Sequence, residues 1–88
     1  MKIRKGFVVR EIADTIAVVP TGDLVKEFKG IINLNDMGKF IWELFQNDIT
    51  TKEAEKKLME QYSIKEEEAT EIVQNFIQKL QDVKLIEQ

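Results

Sequence analysis

Three observations in this 88-residue chain predict an α+β domain of three short antiparallel N-terminal β-strands followed by three α-helices. Over residues 28–34 the chain alternates with a period of two, the signature of a strand. After Asp36 apolar residues recur at three and four residues, the stripe of amphipathic helices. The switch between the two periods takes about two residues, at Leu34-Asn35-Asp36, where Asn35 offers an N-cap oxygen and Asp36 a negative charge for the first turn.

The first strand covers residues 7–12 (FVVREI), rich in β-branched side chains. Ala13-Asp14 forms a tight turn, without the glycine that two-residue hairpins prefer. Residues 15–19 (TIAVV) are the second strand. Pro20 and Thr21-Gly22-Asp23 stop it, because proline lacks the ladder N–H and Gly22 permits a positive φ. Residues 24–27 either extend this loop or begin the third strand. In residues 28–34 (FKGIINL), Phe28, Gly30, Ile32 and Leu34 alternate with Lys29, Ile31 and Asn33. A sheet this small needs helices on one face to be stable.

The first helix, residues 36–46, carries Met37, Phe40, Ile41, Leu44 and Phe45 on its apolar stripe and ends at Asn47-Asp48. The second opens with a capping box: Thr50 caps, Glu53 stands three residues on, and Ile49 and Ala54 hold the staple positions. Its apolar face of Ala54, Leu58 and Tyr62 is narrow, as for a surface helix. After a break at Ser63-Ile64-Lys65 the third helix runs over residues 66–83. Ala69, Ile72, Val73, Phe76, Ile77, Leu80 and Val83 span about 140° of it, wider than the ~100° that one packing neighbour asks for. Leu85 and Ile86 fold back onto the domain. Short strands followed by a short and then a long helix make the outline winged-helix-like.

Composition then narrows the function. A hydrophobic fraction of 43% and a charged fraction of 33% are those of a soluble globular domain. The chain has no cysteine and no histidine, which removes thiolate nucleophiles, the usual zinc sites and the usual neutral-pH general base. No apolar run reaches the ~20 residues of a membrane span, so a cytoplasmic location is expected. The carboxylates that remain sit near lysines on helix surfaces, or at a helix start in the case of Glu66-Glu67-Glu68, where helix support explains them. Gly22, Gly30 and Gly38 are isolated and cradle no phosphate. The chain is therefore not expected to be an enzyme or to hold a cofactor or metal.

A winged-helix outline raises nucleic-acid binding, and charge argues against it. The net charge is −3, and the exposed side of the third helix offers Glu67, Glu68, Glu71, Asn75, Lys79 and Asp82. No arginine follows Arg10, so no helix carries a guanidinium for the bidentate guanine contact. A winged-helix nucleic-acid-binding or regulatory module stays as the alternative, and phosphate-driven binding would betray itself by a steep salt dependence.

Recognition of another polypeptide fits better. If residues 28–34 lie at a sheet edge, their backbone groups are open to β-augmentation, and the wide stripe of the third helix offers an apolar wall beside them. Each feature also has an ordinary explanation: a plain edge strand, and a helix that packs on both the sheet and the first helix. Trp42 sits off the main stripe, above Gly38, either as a boundary residue packing over the glycine or as an anchor for a partner.

The pattern L-N-x-x-G-x-x-I-W-E-L (Leu34, Asn35, Gly38, Ile41, Trp42, Glu43, Leu44) and the later Y-x-I-x-x-E-E-A (Tyr62, Ile64, Glu67, Glu68, Ala69) resemble the pyrroloquinoline quinone biosynthesis protein D (PqqD) family over most of the chain. The resemblance implies a single peptide-recognition domain over residues 1–88, acting as a peptide chaperone. Members bind the leader of a ribosomally made precursor peptide and deliver it to a modifying enzyme, often a radical S-adenosylmethionine protein, or to a leader peptidase. The leader adds as a strand to the third β-strand, against the third helix. On that mode the backbone of Phe28, Lys29, Gly30, Ile31, Ile32 and Asn33 pairs with the peptide. Ile31, Ile72, Phe76 and Leu80 take its side chains, and Lys79 takes an acidic leader residue. No cofactor, nucleic acid or membrane is implied. The chain departs from the family pattern twice. Ile31-Ile32 stand near the usual aromatics of the third strand, with Gly30 shifted, and Lys84 replaces the glycine before Leu85-Ile86.

Overall fold

The computed structural model of the chain describes residues 2–27, 32–83 and 85–87. In order, its elements are β1 (Lys2–Ile3), β2 (Phe7–Ile12), β3 (Thr15–Pro20) and the one-turn helix α1 (Leu24–Glu27). They continue with β4 (Ile32–Leu34), α2 (Asp36–Leu44), α3 (Thr51–Tyr62), α4 (Glu66–Asp82) and β5 (Ile86–Glu87). The α+β expectation holds, with β2, β3 and β4 as the three antiparallel strands and α2, α3 and α4 as the three helices.

β2 and β3 pair along their whole length, from Phe7 opposite Pro20 to Ile12 opposite Thr15. The two-residue turn between them needs a positive φ, and without a glycine the burden falls on Ala13, at φ 55°. β4 joins the other side of β3, with Ile16 opposite Leu34, Ala17 opposite Asn33 and Val18 opposite Ile32. Over residues 32–34, the described part of the expected strand, the alternation is realised: Ile32 and Leu34 pack against the core while Asn33 is exposed.

Residues 24–27, placed by sequence in a loop or at the start of a strand, form the helical turn α1. Four residues are too few to show a period. What shapes them is Gly22, at φ 57°, which reverses the chain so that the Leu24, Val25 and Lys26 N–H groups donate three residues back, to Thr21, Gly22 and Asp23. Leu24 then lies over Gly6, where an added Cβ would stand 2.3 Å from Leu24 Cδ1.

The caps read from the sequence form. The Gly38 N–H donates to Asn35 Oδ1 at 2.7 Å, and the Glu53 N–H to Thr50 Oγ1 at 3.1 Å. α2, α3 and α4 enclose a core of Ile41, Phe45, Ala54, Leu58, Ala69, Val73, Ile77 and Leu80, closed on the sheet side by Val18. The rings of Phe45 and Phe76 stack at 6.5 Å between centroids, with 11° between their planes. Trp42, expected at the boundary or as a surface anchor, is only 3% exposed and belongs to this core. Glu55 is likewise buried, where it accepts a hydrogen bond from the Thr70 hydroxyl of α4.

The predicted fold-back at Leu85 and Ile86 is also present. Leu85 is fully buried, and its N–H donates to Leu80 O at 2.9 Å. β5 then pairs antiparallel with β1, Ile3 opposite Ile86. Sequence periodicity missed this two-stranded ribbon because each of its strands has only two residues.

Candidate functional site

β4 is the terminal strand of the order β2-β3-β4, so no other strand covers its outer edge among the described residues. A groove of about 340 Å³ opens there, between β4, the start of α2 and one side of α4. Asn33, Leu34 and the cap residue Asn35 form the strand wall. Met37, Gly38 and Ile41 form the floor, and Ile72, Asn75, Phe76 and Lys79 the helix wall. These last four stand at i, i+3, i+4 and i+7 and therefore share one face of α4.

Core packing decides which face that is. Ala69, Val73, Ile77 and Leu80 point inward and are at most 5% exposed. That rotation leaves Ile72 half-buried and turns one side of Phe76 toward the groove. The wide apolar stripe is thus shared between core and groove, while Val83, at its far end, is exposed.

Gly38 brings the α2 backbone close to the strand. A Cβ there would lie 3.1 Å from Asn35 Oδ1 and 3.4 Å from Leu34 Cδ2, so a larger residue would press on both the cap and the groove wall. Across the opening, Lys79 Nζ donates to the backbone carbonyl of Asn33 at 3.2 Å. Behind the strand, Lys39 of α2 pairs with Glu11 of β2. The hydrogen bond that Lys39 donates to Glu11, and then the Glu11 charge, hold the lysine pKa above its ordinary value.

Chemically the site is a slot with a hydrogen-bonding wall, an apolar floor and an apolar opposite wall with amide and ammonium groups at its rim. Among the described residues no cluster of three or more carboxylate, histidine or cysteine side chains is placed to hold a metal ion. No helix among them is long and apolar enough to cross a membrane.

Of the residues singled out from sequence, Asn33, Ile72, Phe76 and Lys79 come together around the groove. Ile32 sits in β4 with its side chain against the core. Leu80 is fully buried and does not line the groove. Phe28, Lys29, Gly30 and Ile31 lie outside the described residues. Sequence reasoning did not select Leu34, Asn35, Met37, Gly38, Ile41 and Asn75. Asn75 was within reach, since it sits three residues from Ile72 and four from Lys79 on one helix face.

Comparison with known proteins bears on the family and the fold. A family model described as coenzyme PQQ synthesis protein D (PqqD) matches residues 24–86, well over half of the chain and all three elements that build the groove. No curated protein matches. Among solved structures, the chain is similar in fold to one described as "TbiB1 in Complex with the TbiA(beta) Leader Peptide". The TM-score is 0.76 at 21% identity, over 99% of this chain and 95% of that one.

Proposed function

The chain belongs to the PqqD family, and on that premise we propose that it is a non-catalytic peptide chaperone for the leader of a ribosomally made precursor peptide. The observation that carries this reading is the groove itself, which sets the open edge of β4 against Ile72 and Phe76 of α4. An extended peptide laid along β4 gains backbone hydrogen bonds from the strand, and alternate side chains of that peptide point toward the apolar wall. Asn33, Ile72, Asn75, Phe76 and Lys79 make the side-chain contacts, while Leu80 belongs to the core. The similarity in fold to a protein in complex with a leader peptide supports the same reading.

Bound in this way, the core of the precursor extends beyond the groove and is free to enter a second protein. That partner is a modifying enzyme, such as a radical S-adenosylmethionine protein, or a leader peptidase. The chain contributes binding and delivery; the chemistry belongs to the partner, in the cytoplasm, where precursor peptides are made.

The test is a titration with the precursor peptides encoded beside this chain, followed by backbone amide shifts. The expected perturbations fall on Ile32, Asn33 and Leu34 and on the α4 face from Ile72 to Lys79. Binding that moves only amides elsewhere, or no binding by any such peptide, refutes the reading.

A further inference from the structure

We propose that the Lys79–Asn33 contact is a latch on the free groove, which selects for peptides carrying a carboxylate opposite Asn33. The inference rests on the peptide-binding reading above and adds a condition to it. The Lys79 ammonium donates to the Asn33 carbonyl at 3.2 Å, joining α4 to the edge strand across residues 46 apart in sequence. β4 has only three residues, so an added strand has few acceptors to use, and one of them is already engaged.

An entering strand whose N–H bonds this carbonyl competes with the ammonium for it. Lys79 is the one charged side chain among the described residues of the groove, and the neighbours Asn75 and Asn33 offer only neutral amides. A displaced ammonium facing a neutral peptide therefore exchanges this acceptor only for water or a neutral amide oxygen. A peptide with Asp or Glu at that register replaces the lost bond with a charge-assisted one. The latch opposes neutral strands and is compensated by acidic ones, so one lysine both guards the edge and sets specificity. Guarding an exposed strand edge with a lysine also limits pairing with unrelated chains.

The test has two arms. In the peptide-free protein, Lys79→Met keeps the aliphatic stem and removes the donor. The carbonyl 13C resonance of Asn33 is expected to move upfield, as for a lost hydrogen bond, with the core resonances unchanged. An unmoved Asn33 carbonyl overturns the latch whether or not any peptide binds.

The second arm takes a leader peptide that binds in the amide-shift titration and substitutes Gln or Glu at each position in turn. One register position is expected at which Glu binds about fivefold more tightly than Gln to the natural chain, the scale of one partly exposed charge pair. In Lys79→Met that preference disappears, and the Gln peptide binds about two- to fivefold more tightly than it binds the natural chain. A Gln peptide that binds Lys79→Met more weakly, or a Glu preference that persists there, overturns the proposal. If no leader peptide binds at all, the selectivity falls together with the reading it rests on, and the Asn33 carbonyl still decides the latch.

Discussion

Replacing Leu80 and Ile72 in parallel separates what α4 does for stability from what it does for the groove. Leu80 is 0% exposed, among Val73, Ile77 and Leu85 in the core. Leu80→Ala removes three buried carbon atoms and leaves a cavity, at a cost of about 3–4 kcal/mol. A domain of this size has only ~4–13 kcal/mol of total stability, so the variant loses a large share of it. Ile72 is half-buried at the groove, and Ile72→Ala gives up only part of its transfer energy, about 1 kcal/mol. Urea denaturation followed by the emission of Trp42, the single tryptophan and a core residue, measures both. With a slope of ~1 kcal/mol/M, Leu80→Ala lowers the midpoint by about 3 M and Ile72→Ala by about 1 M. Peptide affinity, measured well below both midpoints, is expected to fall at least tenfold for Ile72→Ala. Whatever part of the Leu80→Ala population remains folded should bind nearly normally. A stable Leu80→Ala protein, within 1 kcal/mol of the natural chain and defective only in binding, would refute the assigned rotation of α4.

Asn35→Ala removes the acceptor of the Gly38 N–H and should cost about 1 kcal/mol, seen as a fall of about 5 °C in the thermal midpoint by circular dichroism. An unchanged midpoint would mean that the cap is not formed in solution. Gly6→Ala places a side chain at φ 103° and against Leu24, so a loss of about 2 kcal/mol is expected in the same assay; a loss below 0.5 kcal/mol would contradict the turn. Ala13→Gly relieves the positive φ of the hairpin turn, and the domain is expected to gain about 0.5–1 kcal/mol. A lower midpoint in that variant would count against the turn conformation.

The helical half of this protein is written locally. Asn35 and Thr50 cap their helices because each oxygen lies three residues from the N–H it accepts, and short-range spacing of that kind shows in a sequence. The same is true of the alternation in β4 and of the helical period of α4. The family pattern draws on these positions too: Leu34, Asn35 and Gly38 meet at the junction of strand and helix, where the space around Gly38 is closest.

Three features were decided by contacts between distant parts of the chain. α1 forms because Gly22 turns the backbone and Leu24 covers Gly6, and four residues carry no period to announce it. β1 and β5 hold each other from opposite ends of the chain. The groove is the third. Periodicity showed that α4 has more apolar surface than one neighbour needs, but its seven stripe residues look alike in sequence. Only packing against α2 and α3 sets the rotation that sends Leu80 into the core and leaves Ile72, Asn75, Phe76 and Lys79 facing Asn33. The sequence by itself determined the elements and their caps. The tertiary structure decided which side of α4 meets the edge strand, because that choice depends on how three helices share one core.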